Sequence, residues 1–382
     1  MTLQFRRSWE DADIAAYRTS VARFIEQEML PGDAEARRLG HVGHALWRRA
    51  GELGFLCADI PEDWGGAGGD FRHEAVFYEE MAVRGLSGMS TSVHAIVAHY
   101  FLNHGTEEQK RRFLPRLASG ELVGAIAMTE PGAGSDLQGV RTRATRDGDH
   151  YVIQGSKTFI TNGHLAGVVL VVCKTDAAQG TKGMSILIVE TRDCPGYSGG
   201  RILGKIGMQA QDTSELFFDG VRVPAANLLG GREGQGFYQL MGDLPYERLI
   251  IGVVAQACME GAHAATLQYV RDRQAFGQPV ANFQNTRFKL AEVATQVTAG
   301  RAFIDRCVEQ LLAGQLDTAT ASMAKLWGSE TQCRVLDELL QLWGGYGYME
   351  ESLIARMYAD ARVQRIYGGT SEIMKEVIAR AL

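Results

Sequence analysis

The sequence predicts an α+β protein in which a helical segment, a β-sheet segment and a second helical segment follow one another. Three observations predict this class. The chain has 382 residues, more than one small hydrophobic core can fill, so two or three packing units are expected. Its apolar residues change from a helical to a strand-like period near residue 121, and they change back near residue 232. We therefore predict domains over residues 1–120, 121–231 and 232–382.

Residues 1–120 are predicted to be helical. Early in this segment, apolar residues recur at the spacing of one helix face, at Ile14, Tyr17, Val21, Phe24, Ile25 and Met29. Further helical patterns cover 71–84, 89–103 and 106–118, after a glycine-rich loop over 61–69. Thr106 directly precedes two glutamates, which is typical of an N-cap followed by an acidic first turn.

Residues 121–231 are predicted to form an antiparallel sheet. Short apolar runs over 168–173 and 185–189 are typical of buried strands, and shorter candidates lie at 151–153 and 216–218. Asp-Gly turn signals separate these runs, and no helical pattern lies between them. Strands without intervening helices favour an antiparallel unit over a βαβ array.

Residues 232–382 return to long helical patterns rich in Ala, Leu, Val, Glu and Arg. The predicted helices cover 233–271, 282–313, 317–343 and 371–381. The most apolar stretch, 249–259, is short and contains Gln256, so it falls below the ~18 apolar residues of a membrane span. No membrane span is therefore expected.

Charge and cysteine usage exclude several classes of protein. The formal charge of −6, from 39 basic and 45 acidic residues, argues against a nucleic-acid coat or a binder of anionic membranes. Six cysteines lie far apart without a CxxC pair, which favours reduced thiols over a disulfide framework or a zinc site. The first ten residues lack the apolar run of a signal peptide. A cytoplasmic protein is expected, although a processed organellar protein would look the same.

Common catalytic motifs are absent or incomplete. Residues 199–205 fit GxxxxGK, but Ile206 follows where a P-loop has Ser or Thr to bind Mg²⁺. Leu137 occupies the third glycine position of a possible GxGxxG, which disfavours a Rossmann site. HExxH and GxSxG do not occur. His94, His99 and His104 recur every five residues, off a single helix face, so no metal site is expected.

Glycine is the most informative residue, with 45 copies against 8 prolines. Four segments combine glycine with polar or aromatic residues in apolar surroundings: 126–136, 157–163, 341–348 and 366–373. Their backbones could approach a flat or anionic ligand closely. Each also has a structural alternative: a turn at 132–134, a core position for Phe159, a glycine C-cap near 344, and an N-cap at Thr370.

Together these segments resemble the acyl-CoA dehydrogenase family of FAD enzymes. "AMTEPGAGSD", "KTFITNG", "RQAFGQ", "QLWGGYGY" and "YGGTSEI" occur in the family's order and spacing, over nearly the whole chain. Three further stretches look closest to the long-chain branch, namely "GMQAQDTSELFF", "LPYERL" and "IYGGTSEIMKEVIAR". The resemblance implies a helical N-terminal domain, a central antiparallel β-domain and a C-terminal four-helix bundle. It also implies a homotetramer, assembled as a dimer of dimers.

The resemblance implies an FAD site shared between two subunits. Ile126, Met128, Thr129 and Ser135 would line the flavin and pyrophosphate, and Phe159 and Thr161 would flank the isoalloxazine, with Thr161 near N5. Arg273, Phe276, Gln284, Gln341, Gly344 and Gly345 would hold the FAD across the subunit interface, and Thr370 and Glu372 would complete the site. Ser135, Tyr238, Arg248 and Gly369 would contact substrate.

The family reaction is α,β-dehydrogenation of an acyl-CoA thioester, with a carboxylate base and flavin N5 as the hydride acceptor. Many members carry that carboxylate where this chain has Gly368, which cannot abstract a proton. The long-chain and isovaleryl branches place it instead at the position of Glu247, so Glu247 is the predicted base. The Gly368 N–H remains as the predicted donor to the thioester oxygen. Medium-to-long acyl chains, with an electron-transfer flavoprotein as oxidant, are expected in fatty-acid β-oxidation.

The sequence is also compatible with several alternatives. The chain could be an acyl-CoA oxidase-like or otherwise specialised dehydrogenase, which would differ in the oxidant or in the acyl group. A nitroalkane oxidase is disfavoured because residues 367–370 lack its aspartate base. A non-catalytic acyl-CoA or flavin scaffold is suggested by Gly368 at the usual position of the base, and the presence of Glu247 argues against it. The structural alternative for Glu247 is a surface pair with Arg248. Glu372, the other nearby acid, matches a flavin-contact position and is a poor candidate for the base.

Overall fold

The computed structural model describes Phe5 and residues 7–382, so residues 1–4 and 6 of the predicted N-terminal domain lie outside the described residues. The predicted α+β class and the helix–sheet–helix order are confirmed. The first helical segment ends at Ala118, and the first strand begins at Gly124. The last long strand ends at Pro224, and the second helical segment begins at Gly236. The predicted boundaries at 120/121 and 231/232 fall within these two connections.

Helices fill the N-terminal segment. They are α1 (Ala12–Phe24), α2 (Asp33–Leu39), α3 (His44–Glu52), α4 (Phe71–Ala82), α5 (Thr91–His104) and α6 (Glu107–Ala118). The apolar stripe of α1 is buried as predicted, except that Tyr17 is half-buried, and one π-helical turn over Ile25–Met29 extends it. The Thr106 hydroxyl accepts a hydrogen bond from the N–H of Gln109, which confirms the predicted cap. The patterns did not predict α2 or α3.

The middle segment forms a seven-stranded sheet. Its strands are β1 (Gly124–Ala127), β2 (Arg143–Asp147), β3 (His150–Thr161), β4 (Val168–Lys174), β5 (Met184–Glu190), β6 (Tyr197–Ile202) and β7 (Thr213–Pro224). The order is β1-β4-β2-β3-β7-β6, with β5 also paired to β4. Most pairs are antiparallel, but β4 runs parallel to both β1 and β2. The sheet is therefore mixed and not purely antiparallel. The two parallel pairs arise because the chain forms the β2–β3 hairpin after β1 and then returns to place β4 between β1 and β2.

The C-terminal segment is built on three long helices: α7 (Gly236–Asp272), α8 (Gln284–Leu312) and α9 (Thr318–Trp343). The shorter α10 (Leu353–Ala361) packs on α7 and α9 as a fourth helix, and α11 (Ser371–Ala379) packs on α9. A small hairpin of β8 (Gln274–Ala275) and β9 (Gln278–Pro279) joins α7 to α8. Leu249, Val253 and Ile304 belong to a buried core that continues into the N-terminal helices. The two helical segments therefore share a hydrophobic core.

By length and composition, α7 is the one helix among the described residues that could cross a membrane. However, 78% of its apolar window is buried inside the fold. Because the core helix of a globular protein passes the same test, this is weak evidence for a span.

Candidate functional site

The segment after β1 exposes backbone next to half-buried side chains. Ile126, Met128 and Thr129 are half-buried, whereas Ser135 is exposed. A Cβ added to Gly132 or Gly134 would have no atom within 4 Å. These two glycines therefore border open space, and a ligand could approach their peptide groups without a steric obstacle.

A buried ion pair ties this segment to the end of β3. The Lys157 ammonium, whose side chain is 0% exposed, donates to Oε1 of Glu130 and to the carbonyl of Met128, each over 2.9 Å. The same carboxylate accepts the backbone N–H groups of Arg141 and Thr142. Such a buried pair is held only where its hydrogen bonds are satisfied, as they are at Glu130. Sequence reasoning missed both residues, because neither stands in a recognisable charge pattern.

Phe159 lies at an irregularity of β3, between the paired residues Lys157 and Ile160. Its φ of +59° lies in the left-handed region, and 67% of the residue is exposed. The alternative that Phe159 is a core residue is therefore wrong. Strained backbone that presents a large aromatic ring to solvent is typical of binding sites. Thr161, half-buried two residues further on, lies at the end of the same strand.

Glu247 lies on α7 and faces α5. The hydroxyl of Tyr100 donates to its Oε1 over 3.1 Å. Burial among protein atoms raises the pKa of Glu247 to about 7, and the nearby Asp243 carboxylate acts in the same direction, while the Tyr100 hydrogen bond and Arg248 oppose the rise. A carboxyl with a pKa near neutrality is suited to general base catalysis.

Asp243, one turn before Glu247, is held by the same face of α5. It accepts hydrogen bonds from Asn103 Nδ2 over 2.7 Å and from His104 Nε2 over 2.9 Å. Because Tyr100, Asn103 and His104 are spaced i, i+3 and i+4, they share one helix face. That face therefore contacts both carboxylates of α7, and its pattern is the signal that could have identified Tyr100 from sequence.

The other two histidines of the five-residue series have structural partners. His94 is buried and hydrogen-bonds the Leu117 carbonyl and the Gly124 N–H. His99 lies 2.9 Å from a carboxylate oxygen of Asp59. Within the described part of the chain, no group of three His, Cys, Asp or Glu side chains is placed to hold a metal ion.

Gly368 lies beside the helix turn that follows Glu247. Its φ is +61°, and an added Cβ would come within 2.4 Å of Ile251 Cδ1. Ile251 is four residues after Glu247, so the glycine packs against the same face of α7. Among the hydrogen bonds of the described residues, none uses the Gly368 N–H. A backbone donor is thus available close to the predicted base.

Arg248 does not pair with Glu247 on the surface. It is only 4% exposed, and its Nη1 donates to the Ser322 hydroxyl of α9 over 2.9 Å. Lys325, one turn further along α9 and 0% exposed, donates to the carbonyl of Gly369 over 2.5 Å. The alternative of a solvated Glu–Arg pair is therefore wrong.

Thr370 and Glu372 lie at the start of α11. The Thr370 hydroxyl accepts the N–H of Ile373, so the structural alternative for Thr370, an N-cap, is confirmed. Glu372 is exposed in the first turn. Because capping uses the hydroxyl of Thr370, only its remaining lone pair and its proton are available to a ligand.

A cavity of about 490 Å³ lies at the C-terminal end of α9. Arg273, Gln341, Gly344 and Gly345 line it, and the Arg273 guanidinium lies 5.8 Å from the centre of the Tyr346 ring. Gly344 ends α9 with a φ of +57°, and a Cβ on Gly344 or Gly345 would meet open space. The glycine C-cap alternative thus holds at this position, and the same glycines also border the cavity.

Three further predicted site residues are exposed. Phe276, in the turn between β8 and β9, is 96% exposed with a φ of +51°. Gln284 is the first residue of α8, and Tyr238 lies in the first turn of α7. They line neither the cavity at the end of α9 nor a second cavity beside Thr161.

A narrower cavity of about 110 Å³ joins the end of β3 to the interior of the helices. Thr161 and Tyr367 line it, together with Val254 and Cys258 of α7 and residues 91–93 of α5. On α7, Val254 and Cys258 lie two and three turns after Glu247. On α5, residues 91–93 lie two to three turns before Tyr100, so the two helices run in opposite directions past the cavity. The cavity therefore runs between two antiparallel helices, away from the Tyr100–Glu247 contact.

Comparison with protein families assigns every segment of the fold. The family models described as "Acyl-CoA dehydrogenase" match in three parts: the N-terminal domain over residues 11–121, the middle domain over 125–221 and the C-terminal domain over 234–382.

Individual relatives give the same result. The chain is 49% identical to the mitochondrial long-chain specific acyl-CoA dehydrogenase of Sus scrofa, over 96% of this chain and 85% of that protein. An acyl-CoA dehydrogenase structure from Geobacillus kaustophilus superposes with a TM-score of 0.95 at 46% identity, covering 98% and 99% of the two chains. A structure described as "Electron transferring flavoprotein of Acidaminococcus fermentans" contains a chain that matches with a TM-score of 0.92 at 34% identity, over 99% of both chains.

Proposed function

The chain belongs to the acyl-CoA dehydrogenase family of oxidoreductases, and from that premise we propose that it converts a medium-to-long-chain acyl-CoA to the trans-2-enoyl-CoA. Glu247 is the general base of this proposal. The proposal depends on the position of the Glu247 carboxylate. Tyr100 donates a hydrogen bond to it, and Ile251, one turn later on α7, packs against Gly368. A base on α7, with a backbone donor packed against the same face of that helix, supplies the two groups that α-proton removal requires.

The residues of the site fit FAD. Gly132, Gly134, Gly344 and Gly345 all border open space, so their backbones could approach a pyrophosphate or a ribityl chain. The exposed ring of Phe159 offers a flat apolar surface to an isoalloxazine, with Thr161 close by in the strand. We propose that 126–136 and 157–163 hold one part of the cofactor, while Arg273, Phe276, Gln284 and 341–345 hold a part contributed by a neighbouring subunit, with Thr370 and Glu372 completing the site.

Proton removal is the step that this chain's own residues explain. Glu247 takes the α-proton on one carboxylate oxygen, while Tyr100 keeps the other oxygen in a hydrogen bond. With a pKa of about 7, the carboxylate is a stronger base than an exposed glutamate, yet it is still largely ionised in mildly alkaline solution. The chemistry that FAD supplies when bound is acceptance of the hydride that leaves the β-carbon.

The developing negative charge falls on the thioester oxygen. The Gly368 N–H, which has no other acceptor among the described residues, is the proposed donor to that oxygen. Ser135, Tyr238, Arg248 and Gly369 complete the proposed substrate contacts. Glycine is favoured at 368 because its φ is +61° and because an added Cβ would displace the end of the Ile251 side chain.

Acyl-chain length, oxidant, assembly and location belong to the same proposal. Medium-to-long chains are supported by the 49% identity to a long-chain specific relative and by the cavity between α5 and α7, whose lining on α7 begins at Val254, two turns after Glu247. An electron-transfer flavoprotein as oxidant is supported by the matching chain of the Acidaminococcus fermentans structure. A homotetramer would cover exposed rings such as Phe276. The six free cysteines fit a reducing cytoplasm.

Anaerobic titration of the FAD-loaded protein tests the function. Acyl-CoA thioesters of increasing length are added, and bleaching of the flavin absorbance gives the reduction rate for each. The wild type is expected to reduce its flavin fastest with medium-to-long chains, and Glu247→Gln several orders of magnitude more slowly, while retaining FAD. Glu376→Gln, an exposed acid of α11 paired with Arg380, is the control and should behave as wild type.

The same experiment identifies the failures. Bleaching of Glu247→Gln at the rate of wild type would remove Glu247 as the base. A wild-type flavin that no acyl-CoA bleaches would contradict the dehydrogenase function. Rapid peroxide formation, when oxygen rather than an electron-transfer flavoprotein is admitted to the reduced protein, would favour an oxidase instead.

A further inference from the structure

The buried cation Lys325 contacts the loop Tyr367–Thr370, which we call the oxyanion loop, and a second buried cation, Arg248, contacts α9 one turn away, at Ser322. Arg248 is 4% exposed and Lys325 is 0% exposed. Within the part of the chain that the structure describes, neither forms a salt bridge, although burying an unpaired charge is costly. The fold thus retains one positive charge against Gly369 and a second one turn away along α9, neither with a carboxylate partner among the described residues.

Each cation is fixed by a neutral oxygen instead. Lys325 donates to the Gly369 carbonyl over 2.5 Å, and Arg248 donates to Ser322 over 2.9 Å. Ser322 and Lys325 are three residues apart on α9, so both contacts lie on one helix face. The Nε of Arg248 is buried without a hydrogen-bond partner among the described residues. The positive charges of Lys325 and Arg248 are therefore not neutralised by a carboxylate, and they could stabilise an anionic group at the loop.

We propose that Lys325 is a positioning residue for the oxyanion loop: it holds Gly369 so that the Gly368 N–H points at the thioester oxygen, and its charge, with that of Arg248, favours the anion formed there. This inference rests on the proposed function. It adds a residue to the site that no motif identified.

The proposal follows from where the electrons go. When Glu247 takes the α-proton, the pair of the broken C–H bond forms the Cα–C1 double bond, and the carbonyl π pair moves onto the thioester oxygen. A cation fixed near that oxygen favours this charge shift in a low-dielectric site, and it needs no reorganisation to do so. Gly368 and Gly369 have φ values of +61° and +93°, so a tether such as Lys325 limits the conformations open to this loop.

The titration of Lys325 supports this role. Burial and the neighbouring Arg248 charge lower its pKa to about 8, while Glu330 of the same helix and Glu372 of α11 oppose the shift. The ammonium is therefore present at neutral pH and is lost in alkaline solution. The effect on the thioester oxygen should weaken over the same pH range.

An acidic substrate analogue tests the proposal without catalysis. The FAD-loaded protein is mixed with a 3-ketoacyl-CoA, and the near-ultraviolet absorbance of the bound enolate is titrated against pH to give the pKa of the bound α-proton. Lys325→Met should raise that pKa by about one unit or more, equivalent to about a tenfold weaker preference for the enolate. Lys289→Met, which removes a half-buried lysine of α8 paired with Glu338 and far in sequence from the oxyanion loop, is the control.

A second variant separates the tether from the charge. Lys325→Gln keeps a hydrogen-bond donor for Gly369 but not the charge, so it should raise the enolate pKa by less than Lys325→Met does. It also serves where Lys325→Met fails to fold. An unchanged pKa in both variants would overturn the proposal, and a rise in Lys325→Met alone would overturn the role of the charge. The assignment of Glu247 is tested separately, because the titration measures an equilibrium and not proton abstraction during turnover.

Discussion

The hydroxyl of Tyr100 donates a hydrogen bond to Oε1 of Glu247 over 3.1 Å, and it thereby joins α5 to α7 at the proposed base. Tyr100 is only 1% exposed, so its ring is fixed by packing. One carboxylate oxygen is occupied, and the other remains for the substrate proton. Since a hydrogen bond to the ionised form lowers a carboxyl pKa, Tyr100 limits how far burial can raise that of Glu247.

Replacing this tyrosine should shift the pH dependence of catalysis. In Tyr100→Phe the pKa of Glu247 should rise by about one unit, because a hydrogen bond to a charged group contributes roughly 1.5–3 kcal/mol. The base acts only when ionised, so the rising limb of the pH–rate profile for flavin reduction should move to higher pH. Tyr246→Phe is the matched control, since the hydroxyl of Tyr246 donates to Asp59. Superimposable profiles for Tyr100→Phe and wild type would contradict the assignment.

An alanine at position 368 should destabilise the fold in two ways. The left-handed φ of +61° costs about 1–2 kcal/mol for a residue with a Cβ, and that Cβ would also press on Ile251. Gly148→Ala provides the comparison, because Gly148 has a φ of +63° but open space around its Cβ. Thermal melting should show a larger fall in Tm for Gly368→Ala. Equal falls would mean that Ile251 moves aside without cost.

Acid sensitivity should depend on a buried ion network between the two helical segments. Burial alone would raise the pKa of Glu79, but the guanidinium groups of Arg301, Arg7 and Arg18 outweigh it and lower the pKa to about 2. The stabilisation from Glu79 is thus complete above its ordinary pKa of 4.5, and it is lost as the pH falls from 4.5 towards 2. Arg301→Met should lower the free energy of unfolding by about 3–5 kcal/mol at neutral pH. It should also make Tm depend less on pH below 4.5.

The control for this network lies on the same helix. Arg306→Met removes a cation that pairs with Glu309 at the surface, with 65% of its side chain exposed. Such a pair contributes about 0–1 kcal/mol, so Tm should hardly change. Similar melting curves for the two variants between pH 3 and 7 would show that the buried network adds nothing beyond a surface pair.

Cofactor retention should depend on Lys157. Lys157→Met leaves the Glu130 carboxylate buried without its cation and frees the Met128 carbonyl, so the segment over 126–136 should shift. We expect FAD to bind at least about tenfold more weakly, measured by fluorescence titration of the apoprotein. Lys174→Met is the comparison, because Lys174 donates only to the Gln138 carbonyl at the surface. Unchanged affinity in Lys157→Met would exclude the ion pair from shaping the site.

Elements with a strong local pattern were predictable, and those without one were not. The runs that became β4 and β5 are almost wholly buried, which is why their apolar sequences were sufficient. In contrast, β2 buries one residue and β6 none, so neither has an alternation to detect. The missed α10 does have a signal, because Ile354, Met357 and Ala361 share one buried face.

The chemistry of the site was only partly predictable. Glu247 and Gly368 were predicted through family resemblance, whereas local sequence alone favoured a surface pair with Arg248 for Glu247. Tyr100 lies 147 residues from Glu247, and Lys325 lies 44 residues from Gly369. Only the packing of α5 and α9 against the site brings them together. The shift in the pKa of Glu247 has the same origin, because burial is a property of the tertiary structure.

The length of α7 links two distant functions mechanically. Glu247 lies near its beginning, and Arg273, which lines the cavity at the end of α9, directly follows its last residue. The two are roughly 40 Å apart along a single helix. A change that tilts this helix would displace the proposed base and the proposed cofactor contact at Arg273 together. A substitution that alters its packing should therefore change catalysis and cofactor affinity together. Gly261 is such a position, because an added Cβ would meet the Val83 backbone.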